Sequence, residues 1–166
     1  MLDGATATLN GFELDVKGSR GELKKIFKHP RIRISTDGNV VKIATQSNYR
    51  KDLAIVGTWV AHVKNMLKGI TKGYETELKI VFMHFPMTAK VDGTNFMIIN
   101  FLGEKGPRKA KIAGNTKIEI QKDTIKVSGT NKEDVGQTAA NIEQLCHKGD
   151  RDIRVFQDGV YIVTKS

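Results

Sequence analysis

Apolar residues recur at helical spacing in two segments, which predicts amphipathic helices over Asp52–Lys68 and Lys132–His147. In the first segment the apolar positions are Val56, Val60, Val63 and Leu67. In the second segment they are Val135, Ala139, Ile142 and Cys146. One constant offset relates the two sets and also relates Gly57 to Gly136, which indicates an internal repeat. A glycine at the same place in both helices indicates that each helix approaches a sheet closely.

Alternating apolar and polar residues upstream of each helix predict half-buried strands. Before the first helix, Arg31–Ser35 alternates and is paired with Asn39–Ile43. Before the second, Lys117–Gln121 alternates and is paired with Thr124–Val127. The connecting dipeptides, Asp37-Gly38 and Lys122-Asp123, are typical of hairpin turns.

Further strands are predicted between the two copies and after the second helix. Glu75–Phe85 is a long apolar strand that stops at Pro86. Val91–Thr94 has the composition of a hairpin turn that leads into a strand over Phe96–Phe101. Ile153–Val163, with a turn at Asp158-Gly159, predicts the closing strands of the second copy.

The fold class that these elements indicate is α+β, with two tandem similar modules produced by internal duplication. Each module is an antiparallel β-sheet packed against one helix. The joint is placed at Phe82–Pro86, so the N-terminal module spans residues 1–84 and the C-terminal module spans residues 85–166.

Composition excludes several classes of protein. The chain has 166 residues, and no apolar run approaches the roughly 18 to 20 residues of a membrane span. The N-terminus lacks the features of a secretory signal. The only cysteine, Cys146, cannot form an internal disulfide, which fits a reducing compartment. A secreted disulfide scaffold, a cysteine-rich zinc protein and an integral membrane protein are therefore not expected.

The charge favours a polyanionic partner, either nucleic acid or an anionic membrane surface. Lysine and arginine total 27 against 18 acidic residues, a formal net charge of +9. A basic protein without such a partner is the alternative. Two stretches of one sign, Lys17–Arg33 and Lys105–Lys111, favour phosphate contact over a mixed solvated surface.

No catalytic, metal or cofactor motif is present, which predicts a protein that is not an enzyme. The four histidines have no metal-ligand spacing; they are His29, His62, His84 and His147. Cys146 completes an apolar helix stripe and is interpreted as a buried hydrophobe. Asp150 and Asp152 alternate with arginines and are interpreted as a charge-balanced turn.

Two Gly-x-x-Gly loops, Gly18–Gly21 and Gly103–Gly106, have three possible interpretations. They are similar to the RNA-clamping loop of KH domains, but a KH loop joins two helices. They could be plain tight turns. The interpretation that we favour is bare backbone that phosphate approaches closely.

The most basic segment, Asn100–Lys111, combines glycine and proline with a row of cations, which predicts a stiff extended loop. Arg108 is expected to grip a phosphate with two N–H groups, and the lysines act as mobile point charges. Aromatic residues make up only 7% of the chain, which favours recognition of RNA backbone and shape over base stacking. Replacing Arg108 and Lys109 by alanine is accordingly expected to weaken RNA binding with little change in melting temperature.

At these residues the chain resembles the large-ribosomal-subunit protein family numbered six in bacteria and nine in eukaryotes, in its archaeal and eukaryotic-type branch. The resemblance spans nearly the whole chain. It is carried by Asn100–Lys105 with Pro107-Arg108, Val135–Gln144, Asp152–Tyr161, Gly57-Thr58, Asn65-Met66 and Gly69–Tyr74.

The resemblance implies a duplicated α+β fold that binds large-subunit rRNA mainly through its C-terminal module. It also implies a cytoplasmic, ribosomal location near the sarcin–ricin loop, where translational GTPases dock, with other large-subunit proteins as neighbours. The rRNA contacts that it implies are Gly103, Lys105, Gly106, Pro107, Arg108, Lys109, Lys111, Arg151, Arg154 and Lys165.

The sequence therefore predicts a non-enzymatic, structural RNA-binding protein of the large ribosomal subunit. Two alternatives remain open: a KH-like regulator of single-stranded RNA, and a basic module that binds an acidic protein. A small hydrolase has no motif in its favour.

Overall fold

A computed structural model describes residues 5–37, 40–83, 85–149 and 151–165, with only the backbone of Lys165. The first half of the chain contains β1 (Ala5–Asn10), β2 (Glu13–Gly18), β3 (Gly21–Ile26), β4 (Ile32–Asp37), β5 (Val40–Thr45), α1 (Arg50–Thr71) and β6 (Tyr74–Val81). The second half contains β7 (Thr88–Asp92), β8 (Asn95–Ile99), β9 (Arg108–Lys111), β10 (Lys117–Gln121), β11 (Thr124–Gly129), α2 (Lys132–Leu145) and β12 (Gly159–Lys165).

The same element order occurs twice, five strands, a helix and a strand, which confirms the predicted α+β duplication. The predicted hairpins are β4–β5 and β10–β11, both antiparallel. At the second turn Lys122 adopts a left-handed φ of 50°, as a two-residue hairpin requires. At the first turn Gly38 lies outside the described residues.

One unit of the structure comprises the chain up to Gly73 together with Thr130–Lys132. Its antiparallel sheet β1-β2-β3 and its hairpin β4–β5 contribute to a single core with α1. Buried residues of the two layers are Leu14, Val16, Phe27 and Ile32 from the strands and β3–β4 connection, and Trp59, Val63, Met66 and Ile70 from α1. We call this the first unit.

The second unit comprises Tyr74–Gly129 and the chain from Glu133 onwards. It contains a four-stranded sheet in the order β10-β11-β6-β12 and a three-stranded sheet in the order β7-β8-β9. Side chains from both sheets and from α2 form one core. Its fully buried members include Leu78, Phe96, Ile98, Phe101, Ile125, Val127 and Ile142.

The division between the units differs from the expected joint after residue 84, because β6 belongs to the second unit. This strand pairs with β11 on one side and β12 on the other, and its alternate residues Tyr74, Thr76, Leu78 and Ile80 are buried. Alternation in the sequence reveals a strand but not its partners. The strand also ends at Val81, before the predicted Phe85.

The apolar stripe of α2 is buried as predicted, whereas that of α1 is rotated. In α1 the buried apolar side chains are Trp59, Val63, Met66 and Ile70, so Val63 is the one member of the predicted set that is buried. The large Trp59 and Met66 side chains bury more apolar surface than the valines beside them.

The role predicted for the helix glycines is wrong. A Cβ added at Gly57 or Gly136 would meet nothing within 4 Å, so neither glycine permits a close approach to a sheet. The offset that relates these two residues therefore marks the repeat without marking a contact.

The predicted closing hairpin over Ile153–Val163 is also wrong, because only β12 is a strand there. Residues 151–158 form turns and irregular backbone that end at a buried Asp158. The Asp158 carboxylate accepts the backbone N–H of Met83 at 3.0 Å. The carboxylate therefore ties this irregular segment to the chain that follows β6.

Over the described residues, no helix has both the length and the apolar character needed to cross a membrane.

Candidate nucleic-acid interface

The basic segment Asn100–Lys111 divides into a tight turn and a strand, so the expectation of one extended loop is wrong. Asn100, Leu102 and Gly103 all have left-handed φ angles, which ends β8 at Ile99 and reverses the chain. Arg108–Lys111 then forms β9, an edge strand that pairs with β8.

Because β9 is a strand, its cations point to opposite faces of the sheet. Lys109 and Lys111 are exposed on the outer face. Arg108 and Ala110 point to the inner face, where Ala110 is buried and Arg108 is half-buried. The four basic residues of Lys105–Lys111 therefore do not form one continuous row.

A third lysine joins the outer face of this sheet. Lys90 on β7 pairs with Met97 on β8, and Met97 pairs with Lys109 on β9. Directly paired residues project from the same side of a sheet, so Lys90 and Lys109 flank Met97. We call Lys90, Lys109 and Lys111 the lysine face.

Within the described part of the chain, none of the lysine-face side chains has an ion pair or a side-chain hydrogen bond. The three ammonium groups are therefore available to an anionic partner. Sequence reasoning missed Lys90. The alternation around Lys90 indicates a strand with this side chain on its polar face. That Lys90 lies near Lys109 depends on the pairing of β9 with β8, which the sequence does not show.

Lys105, Gly106 and Pro107 form the exposed turn that leads into β9. Gly106 has open space around its Cα. Gly103 has a φ of +79° and lies against the Phe85 ring, so glycine serves the backbone conformation there. The Gly103 N–H is directed at the Asn100 carbonyl at 3.5 Å.

The other Gly-x-x-Gly loop is a tight turn of the first unit, which corrects the interpretation that we favoured for it. Gly18 and Gly21 pair across the β2–β3 hairpin. The Arg20 N–H and the Ser19 hydroxyl both donate to the carbonyl of Ile70, at 3.2 and 3.4 Å. The last carbonyls of an α-helix have no partner within the helix, and these two donors supply one for Ile70 of α1. Neither loop joins two helices, so the likeness to a KH loop has no structural support.

Arg108 is held inside its own unit rather than presented to a partner. Its guanidinium donates to both carboxylate oxygens of Glu104, at 2.8 and 2.6 Å. A further N–H group donates to the carbonyls of Leu145 and His147 at the end of α2, at 2.8 and 2.9 Å. The guanidinium also lies 4.3 Å from the centre of the Phe101 ring. The expectation that Arg108 is a free side chain is therefore wrong.

The electrostatics of this pair agree with its geometry. The hydrogen bond from Arg108 lowers the pKa of Glu104, and the same bond raises the pKa of Arg108. Two parallel N–H···O bonds between a guanidinium and a carboxylate are among the strongest side-chain contacts. Arg108 thus fastens the turn and the end of α2 to one another.

The remaining residues implied as rRNA contacts lie near the C-terminus. Arg151 and Arg154 are exposed; Arg151 stacks 5.4 Å from the Phe156 ring centre, and Arg154 lies 3.4 Å from Asp152. Lys165 is the last residue of β12 and pairs with Thr76. Asp150 lies outside the described residues, so its part in the predicted charge-balanced turn stays a prediction.

The first basic stretch, Lys17–Arg33, has carboxylate neighbours at three of its seven cations. Lys17 pairs with Glu22 at 3.0 Å, Lys24 approaches Asp15 at 3.8 Å, and Arg31 approaches Asp52 at 3.5 Å. This stretch is therefore not the continuous phosphate surface that its composition indicates.

The sequence matches the family described as Ribosomal protein L6 over residues 3–73 and 85–159. The chain belongs to the ribosomal protein L6 family. It is 47% identical over 164 residues to the large ribosomal subunit protein uL6 of Methanocella arvoryzae, covering 98% of this chain and 93% of the relative. Identity to uL6 of Methanobrevibacter smithii is 45%, with coverages of 98% and 92%. Identity to uL6 of Natronomonas pharaonis is 44%, covering 96% of this chain and 90% of the relative.

Membership of the L6 family confirms the resemblance inferred from the sequence motifs and identifies a ribosomal protein rather than an enzyme. Each matched segment contains the five strands and the helix of one copy. Residues 74–84, which include β6, lie between the matched segments. Family matching thus identifies the same duplication that periodicity predicted.

The titratable residues of this L6-family chain do not form a metal site in the described ranges, where no group of three or more His, Cys, Asp or Glu side chains converges. His84 lies outside those ranges. Cys146 is 5% exposed and belongs to the core of the second unit, as its place in the helix stripe predicts. Burial raises the pKa of its thiol to about 11.

Cys146 is therefore expected to be inert in the folded protein. At pH 8 only about one thiol in a thousand is ionised when the pKa is near 11, and only the thiolate reacts rapidly. Iodoacetamide labelling followed by mass spectrometry should show no modification of the native chain within an hour and complete modification in guanidinium chloride. Rapid labelling of the native chain would contradict the buried assignment.

Proposed function

We propose that this chain is a structural constituent of the large ribosomal subunit and binds large-subunit rRNA through its second unit. The relatives named above are called large ribosomal subunit proteins, and they align with almost the whole chain. The proposal places the chain in cytoplasmic ribosomes, where it contributes to translation as part of the particle.

The observation that carries the proposal is the lysine face. Lys90, Lys109 and Lys111 lie on one side of a three-stranded sheet, and Lys105 is exposed in the adjoining turn. The sheet fixes the spacing of the lysine Cα atoms, and the flexible side chains let each ammonium group reach a phosphate of folded RNA. The sheet would determine where the lysines contact the RNA, and their positive charge would provide the affinity for it.

The other implied contacts have supporting roles in this proposal. Gly103, Gly106 and Pro107 shape the turn that presents Lys105, and the exposed Arg151 and Arg154 offer further cations. Lys165 is retained as a proposed contact because the family resemblance implies it. Arg108 is left out because its donors are already occupied within the unit. Its part is to hold the turn in place.

The finer placement rests on the family resemblance. We propose that the rRNA contacted lies near the sarcin–ricin loop, in the region where translational GTPases dock, with other large-subunit proteins as neighbours. The experiment for this placement is crosslinking of the chain to rRNA in assembled subunits, followed by mapping of the joined nucleotides.

Binding to the large subunit is expected to be direct and salt-dependent. Four neutralised phosphates predict a fall of log K with log salt at a slope of about −3 to −4. Sedimentation of the labelled chain with purified large subunits at graded salt concentrations measures this slope. A flat titration, or association that survives ribonuclease treatment, would contradict RNA binding and favour the alternative of an acidic protein partner.

A further inference from the structure

A cavity of about 440 Å³ lies in the first unit, between the start of β4 and the end of β5. Its walls include Pro30, Arg31 and Arg33 from the β4 side and Thr45, Gln46 and Tyr49 from the β5 side. This volume falls within the range of pockets that hold small ligands, about 300–1,000 Å³. Neither the lysine face nor the family resemblance assigns any role to it.

A series of hydrogen bonds stabilises the pocket wall that the chain forms after β5. The Thr45 hydroxyl donates to the Arg31 carbonyl at 3.0 Å and accepts the Ser47 N–H at 3.2 Å. The Ser47 hydroxyl then accepts the Tyr49 N–H at 3.3 Å. These bonds fix the loop that carries Gln46 and Tyr49, so the pocket is shaped before any ligand arrives.

Arg31 is positioned by its neighbours. Its guanidinium lies 5.3 Å from the centre of the Tyr49 ring, and its Nε atom lies 3.5 Å from the buried carboxylate of Asp52. The rest of the ring is accessible, because Tyr49 is 68% exposed. Arg31 therefore braces the ring and leaves aromatic surface for a ligand.

Two polar side chains of the pocket have no partner among the described residues: the guanidinium of Arg33 and the amide of Gln46. Arg33 differs in this from Lys17, Lys24 and Arg31, each of which approaches a carboxylate. The pocket therefore holds an arginine that has no carboxylate beside it. Arginine donors fit phosphate, and a side-chain amide can both donate to and accept from a base edge.

From these groups we infer that the pocket binds one unstacked nucleotide of an RNA strand. The base stacks on the Tyr49 ring, its edge meets the Gln46 amide, and a flanking phosphate meets Arg33. Single-stranded RNA is commonly held by such a combination of aromatic stacking and cations. An acidic peptide would engage Arg33 but would leave the ring and the amide unused, so RNA is the better fit.

The inference rests on the proposed function only in taking RNA as the partner. It adds a contact in the first unit, by base stacking, to the backbone contacts proposed for the second. The two can fail separately, because the pocket and the lysine face share no residue.

The test uses the full ¹⁵N-labelled chain titrated with a single-stranded RNA hexamer of mixed adenine and uracil. We expect the amide signals of Arg33, Gln46 and Tyr49 to shift. Tyr49→Ala should raise the hexamer Kd by about fivefold or more, as expected when one base-stacking side chain is removed. Arg33→Gln removes a phosphate contact and should also raise the Kd by about fivefold. Tyr49→Phe keeps the ring and should keep the affinity.

Matched controls are Phe12→Ala, which removes another exposed aromatic side chain of the first unit, and Lys64→Gln, which removes an exposed cation of α1. Both should bind the hexamer within twofold of the original chain. Pocket amides that do not shift, or Tyr49→Ala binding as tightly as Phe12→Ala, would overturn the inference. A glutamate-rich octapeptide that shifts the same amides at lower concentration than the hexamer would also overturn it.

Discussion

Replacing Arg108 by alanine is expected to lower the melting temperature of the second unit by about 10 °C or more. The substitution removes two bonds to Glu104 and leaves the carbonyls of Leu145 and His147 without their donor. Hydrogen bonds to charged groups contribute about 1.5–3 kcal/mol each. Partial exposure of the pair reduces that figure, so a total of about 2–4 kcal/mol is a reasonable expectation.

The conversion to temperature follows from the size of the unit. For a domain of 60–100 residues, about 1 kcal/mol corresponds to roughly 4–8 °C in melting temperature. Circular dichroism during heating measures the change. Lys109→Ala is the matched control, since its side chain is exposed on the opposite face and should alter the free energy of unfolding by less than about 0.5 kcal/mol.

A pH profile separates the ion pair from simple loss of packing. Because Arg108 lowers the pKa of Glu104 in the folded chain, the carboxylate stabilises the fold at neutral pH. That stabilisation should disappear as the pH falls below the ordinary glutamate pKa of about 4.3 and through the lowered folded value. Glu104→Gln should remove this part of the acid sensitivity. Equal melting temperatures for Arg108→Ala and Lys109→Ala would contradict the structural role and restore the expectation of a free cation.

Replacing all three lysines of the lysine face by glutamine is expected to weaken binding to large-subunit rRNA by roughly 100-fold at 0.1 M salt. Each phosphate contact contributes about 0.9 to the slope of log K against log salt. Losing three contacts should therefore reduce the steepness of that slope by about 2 to 3. The fold should be retained, because the side chains at Lys90, Lys109 and Lys111 are exposed.

The matched control removes the same charge from another surface of the second unit. Lys79, Lys117 and Lys122 are exposed on or beside the four-stranded sheet. Their replacement by glutamine changes the net charge equally but leaves the lysine face intact. Filter binding to large-subunit rRNA compares the two triple variants over a salt series. If both lose the same affinity, net charge and not the arrangement on β7–β9 determines binding.

The local features of this fold were predictable because they depend on neighbours along the chain. The stripe Val135, Ala139, Ile142 and Cys146 is buried as its spacing indicates. The β10–β11 hairpin is present because alternation flanks a suitable two-residue turn. The duplication followed from the same periodicities, since each repeat presents them in the same order.

The predictions for α1 and β6 were wrong for two reasons. Two apolar patterns overlap in α1, and the pairing partners of β6 are not specified by its own sequence. In α1 both a valine stripe and a stripe containing Trp59 and Met66 fit helical spacing, and the bulkier set is buried. β6 alternates equally well whichever half of the chain it joins. Its placement between β11 and β12 depends on residues far away in sequence, which no local pattern contains.

Composition and periodicity are enough to identify a basic, duplicated α+β protein with its most cationic segment near residue 105. What each cation contacts depends on the fold. Pairing of β9 with β8 turns Arg108 inward to Glu104 and the end of α2, and turns Lys109 outward beside Met97 and Lys90. Strand register assigns alternate residues to opposite faces, and register is a property of contacts between distant segments. The sequence therefore shows which segment is basic, and strand pairing determines which of its side chains are exposed to a partner.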